Sequence, residues 1–286
     1  MDHRSQHAVA NALRHARLLP LADLALYAWS VLKKLPANLR FRSVHAEIAT
    51  PPSHLAFDAY GHVDRAAYLA SGEKDARIVA ETVNRWLPGS GIRVCEWGCG
   101  PGRVIRHLTQ LLSDRRASLY GTDYNEETVE WCRASLEGIA FERNGLSPPL
   151  PFTDEYLDCV YALSVFTHLS DARHFEWIAE LKRVIRPGGI VILTTHSDAA
   201  TDRLLGPELE RYKAGELVVR GQVKEGKKWY LAYQPPGFVR NELLAGWEVL
   251  SHAHARMFGT QDLWVARKPL GTAQERSAGR EAPISG

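Results

Sequence analysis

Short apolar runs and stripes at helical spacing take turns along the middle of the chain, as strands and the helices that follow them do. Residues 92–95 form an apolar run leaving the turn at 88–91, the pattern of a buried strand. Three glycines follow at alternate positions, 98, 100 and 102, and Val104, Ile105, Leu108, Leu111 and Leu112 then give residues 103–112 one apolar face. A second unit repeats this order. Residues 117–122 read as a strand ending on Asp123, and residues 126–136 as a helix with Asn125 as its cap. Glu126 and Glu127 suit its positive end, and Val129, Cys132 and Leu136 form its buried stripe. Residues 157–163 and 190–195 add two more strands, separated by a helix over 171–185 and the turn at 186–189.

The flanks follow other patterns. Residues 73–87 predict a helix whose inner face is Ile78, Val79, Val83, Trp86 and Leu87. Beyond residue 195 the chain predicts a helix over 199–213, strand-like runs at 216–220 and 228–233 around a polar glycine turn, and a helix near 238–244. Runs at 247–250 and 262–266 suit a closing antiparallel pair. Residues 271–286 are polar and lack periodicity, so a loose tail is expected. Residues 18–32 are apolar, with Arg14 and Arg17 before them and Lys33 and Lys34 after. The segment is too short for a membrane span, is interrupted by Asp23, and shows no cleavage site of a secretory signal. For residues 18–35 the first reading is packing against the core or a second subunit, and the second is peripheral membrane contact.

Composition changes this picture little. A chain of 286 residues accommodates one large α/β domain with additions, and a net charge of +2 supplies no strong basic field, so nucleic acid is not favoured as a partner. Cysteines 95, 99, 132 and 159 have no C-x-x-C pairing and read as reduced core residues of a cytoplasmic protein. No side-chain cluster suggests a metal, and none is expected.

The chemistry concentrates in the glycine turn. A glycine-rich turn that opens a helix lets a ligand approach main-chain N–H groups at the positive end of the helix dipole. A dinucleotide site wants G-x-G-x-x-G, but Arg103 occupies the third glycine's place, and the spacing is G-x-G-x-G with Glu96 two residues ahead. A turn that merely joins strand to helix is the bland alternative. Asp123, about 20 residues on, sits where a carboxylate accepts both hydroxyl hydrogens of a ribose, or simply belongs to a capping turn. Tyr124 is suited to lie against an adenine face.

Residues 94–103 with Asp123, followed by segments 141–146, 150–154, 157–169 and 171–195 in order, resemble the class I S-adenosylmethionine-dependent methyltransferases over roughly half of the chain. The resemblance implies an α/β Rossmann-like fold: a mostly parallel seven-stranded sheet, helices on both faces and a terminal antiparallel strand. It implies S-adenosyl-L-methionine as cofactor and S-adenosyl-L-homocysteine as product. Glu96, Gly98, Cys99, Gly100, Gly102 and Arg103 would surround the methionine portion, and Asp123 and Tyr124 the ribose and adenine. Asn144, Gly145 and Leu146 would meet the adenine edge, Asn144 replacing the family's usual acid with an amide whose carbonyl still accepts a hydrogen bond. Ser164 and Phe166 would border the methionine end and the substrate entrance. Tyr60 and Tyr68 fit a lid or ordinary half-buried packing.

The implied organisation is an N-terminal helical extension over 1–50, a methyltransferase domain over 51–270 and a tail over 271–286. Within the domain, 51–91 would form the lid and first helix, and 197–236 a substrate cap. His168 is the first candidate base and His196 the second, each competing with a bracing role. The fourth strand lacks the Asp/Asn-Pro-Pro-aromatic ending of exocyclic amino methyltransferases, and no Pro-Cys dipeptide marks the cytosine C5 class. The expected reaction is O-methylation of a small-molecule or sugar/glycan hydroxyl, with N- or carboxyl-methylation as the alternative. An NAD-dependent oxidoreductase and a non-catalytic cofactor-binding module are the rivals from other classes.

Overall fold

The structure is a computed structural model that describes residues 19–271. Apart from Gly271, the tail expected over 271–286 lies outside the described residues. Three helices come first: α1 (Leu19–Val44), α2 (Ser53–Tyr60) and α3 (Arg65–Trp86). The sheet then begins with β1 (Arg93–Trp97), followed by α4 (Ile105–Leu111), β2 (Ser118–Asp123), α5 (Glu126–Ser135), β3 (Ile139–Arg143) and β4 (Leu157–Ala162). Helix α6 (Asp171–Val184) leads into β5 (Ile185–His196) and α7 (Pro207–Lys213). A separate hairpin of β6 (Val218–Arg220) and β7 (Leu231–Tyr233) precedes β8 (Glu248–Met257) and β9 (Gln261–Arg267).

The seven-stranded sheet has the order β3-β2-β1-β4-β5-β9-β8, with every neighbouring pair from β3 to β5 parallel. Strand β9 runs antiparallel to both β5 and β8. The fold expected from the resemblance is therefore present. Alternation along the strands builds its two cores: Val94, Cys159, Tyr161, Ile190 and Ile192 face α3 and α4, while Cys95, Val160, Ala162, Val191 and Leu193 face α6. Strand order reverses between β1 and β4, so a crevice opens beyond their carboxyl ends, where ligands of such sheets bind.

Some elements differ from expectation. Helix α3 starts at Arg65, not at residue 73, with the Asp64 carboxylate accepting from the Ala67 N–H. Gly72 does not break it: there α3 presses on the glycine turn so closely that a Cβ would lie 2.0 Å from the Arg103 carbonyl oxygen. The helix expected over 199–213 is interrupted. Residues Asp198–Arg203 form a 3-10 helix, Gly206 adopts a positive φ of 42°, and Pro207, lacking an N–H, starts α7.

Candidate active site

Beyond the carboxyl ends of β1, β2 and β4 lies a cavity of about 520 Å³, within the roughly 300–1,000 Å³ common for small-molecule sites. Its floor is the glycine turn. Gly98, Gly100 and Gly102 all take positive φ, at 73°, 50° and 66°. At Gly100 a Cβ would approach the Tyr60 hydroxyl to 3.1 Å, whereas at Gly102 it would strike Leu136 Cδ1 at 2.4 Å. Gly100 therefore keeps the cavity open, and Gly102 leaves room for Leu136 at the end of α5. Gly98 and Arg103 line the cavity with Gly100, but Cys99 is buried in the core and Gly102 lies outside the lining.

Glu96 sits beneath the turn, not in the lining. Its Oε2 accepts from the Ile105 N–H at 3.1 Å and from the Tyr161 hydroxyl at 3.0 Å, tying strand β1 to the first turn of α4. Burial pushes this carboxyl up to about 8. Arg103 is buried against Asp75, Nη1 to Oδ2 2.6 Å, with its guanidinium over the Tyr60 and Phe258 rings. One cation thus lines the cavity while its charge is balanced from α3.

A second group of lining residues surrounds Asp123. Asp123 is held by its own oxygens: Oδ2 accepts from the Gly100 N–H at 2.9 Å and Oδ1 from the Asn125 N–H at 2.8 Å. Each oxygen keeps further lone-pair capacity, and burial raises the carboxyl's pKa. Tyr124, Asn144, Gly145 and Leu146 line the cavity beside it. Asn144 Nδ2 donates to the Gly145 carbonyl at 2.6 Å, which fixes the orientation of the amide because a carbonyl can only accept. Asn144 Oδ1 is consequently buried with no hydrogen-bond partner, and so is the Tyr60 hydroxyl. Two buried polar atoms without partners, both on residues of one cavity, are what a polar ligand would satisfy.

Residues 95–193 match the family model described as a methyltransferase domain. This stretch is a methyltransferase domain, in keeping with the resemblance to the class I S-adenosylmethionine-dependent methyltransferases. It is 37% identical over 110 residues to the phthiotriol/phenolphthiotriol dimycocerosates methyltransferase 1 of Mycobacterium ulcerans, covering 37% of this chain and 38% of the relative. It is 34% identical over 123 residues to the fatty-acid O-methyltransferase of Mycolicibacterium smegmatis, 42% of each chain. The match thus spans about two fifths of these relatives. In fold it resembles a chain of the complex between the Haloferax volcanii Trm112 methyltransferase activator and a methyltransferase. There the TM-score is 0.51 at 16% identity, covering 77% of this chain and all of the other.

Against that methyltransferase frame, the remaining expected residues divide. Ser164 lines the cavity with φ at 63°, held there by a relay at the strand ends: its N–H donates to Thr194 Oγ1, Thr194 Oγ1 donates to Gln261 Oε1, and Gln261 Nε2 donates to Ser164 Oγ. Phe166 does not border the entrance. It is fully buried, edge-on to Trp97 with centroids 5.5 Å apart. Tyr68 is likewise in the core, its hydroxyl donating to the Pro101 carbonyl at 2.6 Å, so it braces the glycine turn from behind. Tyr60 does line the cavity.

His168 lines the cavity too. Its Nδ1–H donates to the Tyr230 carbonyl at 2.7 Å, leaving Nε2 as the acceptor nitrogen, and burial lowers its pKa so that the ring is neutral near pH 7. His196 is not brought to the site. The β6–β7 hairpin covers the end of β5, so His196 donates to the Ala232 carbonyl at 2.7 Å and stacks on Tyr233. Among the described residues no group of three or more His, Cys, Asp or Glu could hold a metal.

Several lining residues escaped the sequence reading. Trp97 sits inside the recognised motif and packs on Trp177, centroids 4.3 Å apart. Asp58, Asp75, Lys227 and Phe258 also line the cavity, and they come from four separate parts of the chain. Only Trp97 had a local signal, its place in the motif; the others meet through the fold alone.

Proposed function

We propose that this chain is an S-adenosylmethionine-dependent O-methyltransferase whose acceptor is a small organic molecule bearing a hydroxyl. The observation that carries this reading is the pair of partnerless buried atoms, Asn144 Oδ1 and Tyr60 Oη, on two residues that line the same cavity as Gly98 and Gly100. A glycine floor, a carboxylate, an amide acceptor and a buried arginine lining one cavity suit the donor's amino-acid and nucleoside ends. Asp123 would accept from ribose hydroxyls, Asn144 Oδ1 from the adenine amino group, and Tyr60, kept neutral by burial, would donate at the methionine side. When bound, the donor supplies an electrophilic sulfonium methyl group.

The chain's own residues handle orientation and the proton. Trp97, Leu163 and Val165 give the cavity an apolar lining that disfavours water. His168, neutral and fixed through Nδ1, takes the acceptor's hydroxyl proton at Nε2. Holding the acceptor oxygen near the methyl supplies the rest of the rate enhancement. Within this reading residues 197–236 act as the substrate cap, contributing Gly226, Lys227 and Lys228 to the cavity. Four free, buried thiols suit a cytoplasmic setting.

The relatives' names extend the acceptor class to lipids, and the fatty-acid O-methyltransferase favours a carboxyl group as the second reading. The test has two arms. Calorimetry with S-adenosylhomocysteine should give a saturable heat and NADH none; the reverse result overturns the proposal. Transfer of label from methyl-labelled S-adenosylmethionine is then followed over sugars, hydroxylated lipids and fatty acids. Ester products alone would replace O-methylation of hydroxyls with carboxyl methylation, and binding without transfer to any acceptor would favour a non-catalytic module.

A further inference from the structure

A helix packed on a protein buries its apolar stripe. Helix α1 does the reverse. Eight of the eleven exposed large hydrophobic side chains among the described residues lie on it, Leu32 at 68% and Leu21 at 66% exposure among them. Leu21, Ala25, Ala28, Leu32, Leu35 and Leu39 follow one another at spacings of four and three, all exposed, and form one stripe along the helix. Leu24 widens the stripe on one side and Trp29 on the other.

The inward face, by contrast, is held by polar contacts. Asp23 pairs with Lys228 at 2.8 Å and accepts from the Trp229 indole, Lys34 pairs with Asp64 at 2.7 Å, and Asn38 bonds the Val63 carbonyl and the Arg65 N–H. Tyr27 packs on Phe57. The apolar stripe is therefore turned away from the protein by specific bonds and not by loose packing.

Charge identifies the occupant. Lys33 and Arg40 border the stripe on the Trp29 side and Arg42 on the Leu24 side, all three exposed and in no ion pair among the described residues. The helix's one acidic residue, Asp23, is engaged on the inner face. Pairing with a second copy would use a narrower seam and would bring these cations together. A surface that is apolar inside and anionic at its border satisfies both features at once, and no described helix is long and apolar enough to cross a membrane.

We propose that α1 lies in the plane of an anionic lipid surface, with its leucine stripe in the acyl boundary and Lys33, Arg40 and Arg42 at the headgroups. The inference goes beyond methyl transfer and does not depend on it. Its inner-face partners Lys228 and Phe57 adjoin Lys227 and Asp58, which line the cavity, so docking would bring the cavity's rim to the lipid surface.

The test is co-sedimentation of the full chain, without cofactor, with phosphatidylcholine vesicles and with vesicles containing phosphatidylglycerol. Binding should be stronger by on the order of tenfold to the anionic vesicles and should weaken in high salt. Leu32→Glu should abolish it, and the double change Lys33→Glu, Arg40→Glu should remove the preference for phosphatidylglycerol. Unaltered circular dichroism and melting of these variants keep a folding defect apart from lost docking. A chain that stays in the supernatant with both vesicles overturns the proposal, as does Leu32→Glu sedimenting like the parent. A concentration-dependent dimer abolished by Leu32→Glu, without vesicle binding, would assign the stripe to a second copy instead.

Discussion

Lys227 Nζ lies 2.7 Å from Asp58 Oδ2, joining the loop before β7 to α2 across 169 positions of sequence and bridging two sides of the cavity. The same loop touches the end of β2, because the Tyr124 hydroxyl donates to the Gly226 carbonyl at 3.2 Å. The pair is half-exposed, so its contribution to stability is small. Its position makes it a clasp. Asp58→Asn is expected to leave melting within a degree or two of the parent while speeding S-adenosylhomocysteine release several-fold. Stopped-flow release measurements check this, and an unchanged rate would remove the clasp role.

Asn144 is the sharpest test of the proposed adenine contact. Leucine is similar in volume but accepts no hydrogen bond, so Asn144→Leu is expected to weaken S-adenosylhomocysteine by about tenfold or more, consistent with about 1–3 kcal/mol for an unmade buried bond. Asn144→Asp retains an acceptor and should bind within a few-fold of the parent. Equal affinities for all three by calorimetry would detach Oδ1 from the ligand.

These two residues also show what the sequence could and could not carry. Asn144 was legible because a motif at fixed spacing from the glycine turn placed it, and Asn125 because a cap residue has local chemistry, here its side chain accepting from the Thr128 N–H. The parallel strands were legible from continuous apolar runs. Lys227 and Asp58 were not, since an ion pair between distant segments leaves no periodicity in either. Phe166 is expected at the entrance, and Tyr68 in a lid or in ordinary packing, because aromatic residues near a motif look alike in sequence, whether they face a ligand or, as here, the core. His196 ends a strand as expected, but the hairpin that covers it is formed by residues some 30 positions away, Ala232 among them. Helix α1 was recognised as apolar; only the bonds of Asp23, Lys34 and Asn38 reveal that its apolar side faces outward.

For His168 the expected signature separates chemistry from binding. His168→Gln should lower kcat by about 10²-fold or more while the dissociation constant for S-adenosylhomocysteine stays the same. The parent's rate should fall on the acid side as Nε2 takes a proton, at a pH below histidine's ordinary value because burial lowers it. Full activity in the glutamine variant would end the assignment of His168 as base.

Gly72 gives a purely structural prediction. The Arg103 carbonyl lies where a Cβ would go, and backbone cannot swing aside as a side chain can, so Gly72→Ala must push α3 off the glycine turn. Overpacking of this kind costs roughly 1–3 kcal/mol. A lower Tm together with weaker cofactor binding is expected, because the displaced turn is the cavity floor. A parent-like Tm would mean that α3 does not press on the turn.

Glu96 makes stability depend on pH in a direction opposite to most carboxylates. Burial raises its pKa from an ordinary 4.5 to about 8, against the smaller opposing effects of Tyr161, Arg103 and the Ile105 N–H, so the folded chain binds the proton more tightly than the unfolded one. The stability linked to that proton is complete below about pH 4.5 and is lost as pH rises through about 8. Glu96→Gln keeps an acceptor for Ile105 and Tyr161 but has no proton to lose. The difference in unfolding free energy between Glu96→Gln and the parent should therefore widen in favour of glutamine from pH 5 to 9, while both lose or gain equally from all other titrating groups. Denaturant titrations at several pH values measure that difference directly. A difference that is flat with pH would mean the carboxyl is already ionised in the folded chain, and Glu96 would then hold α4 as an anion instead of as a neutral acid.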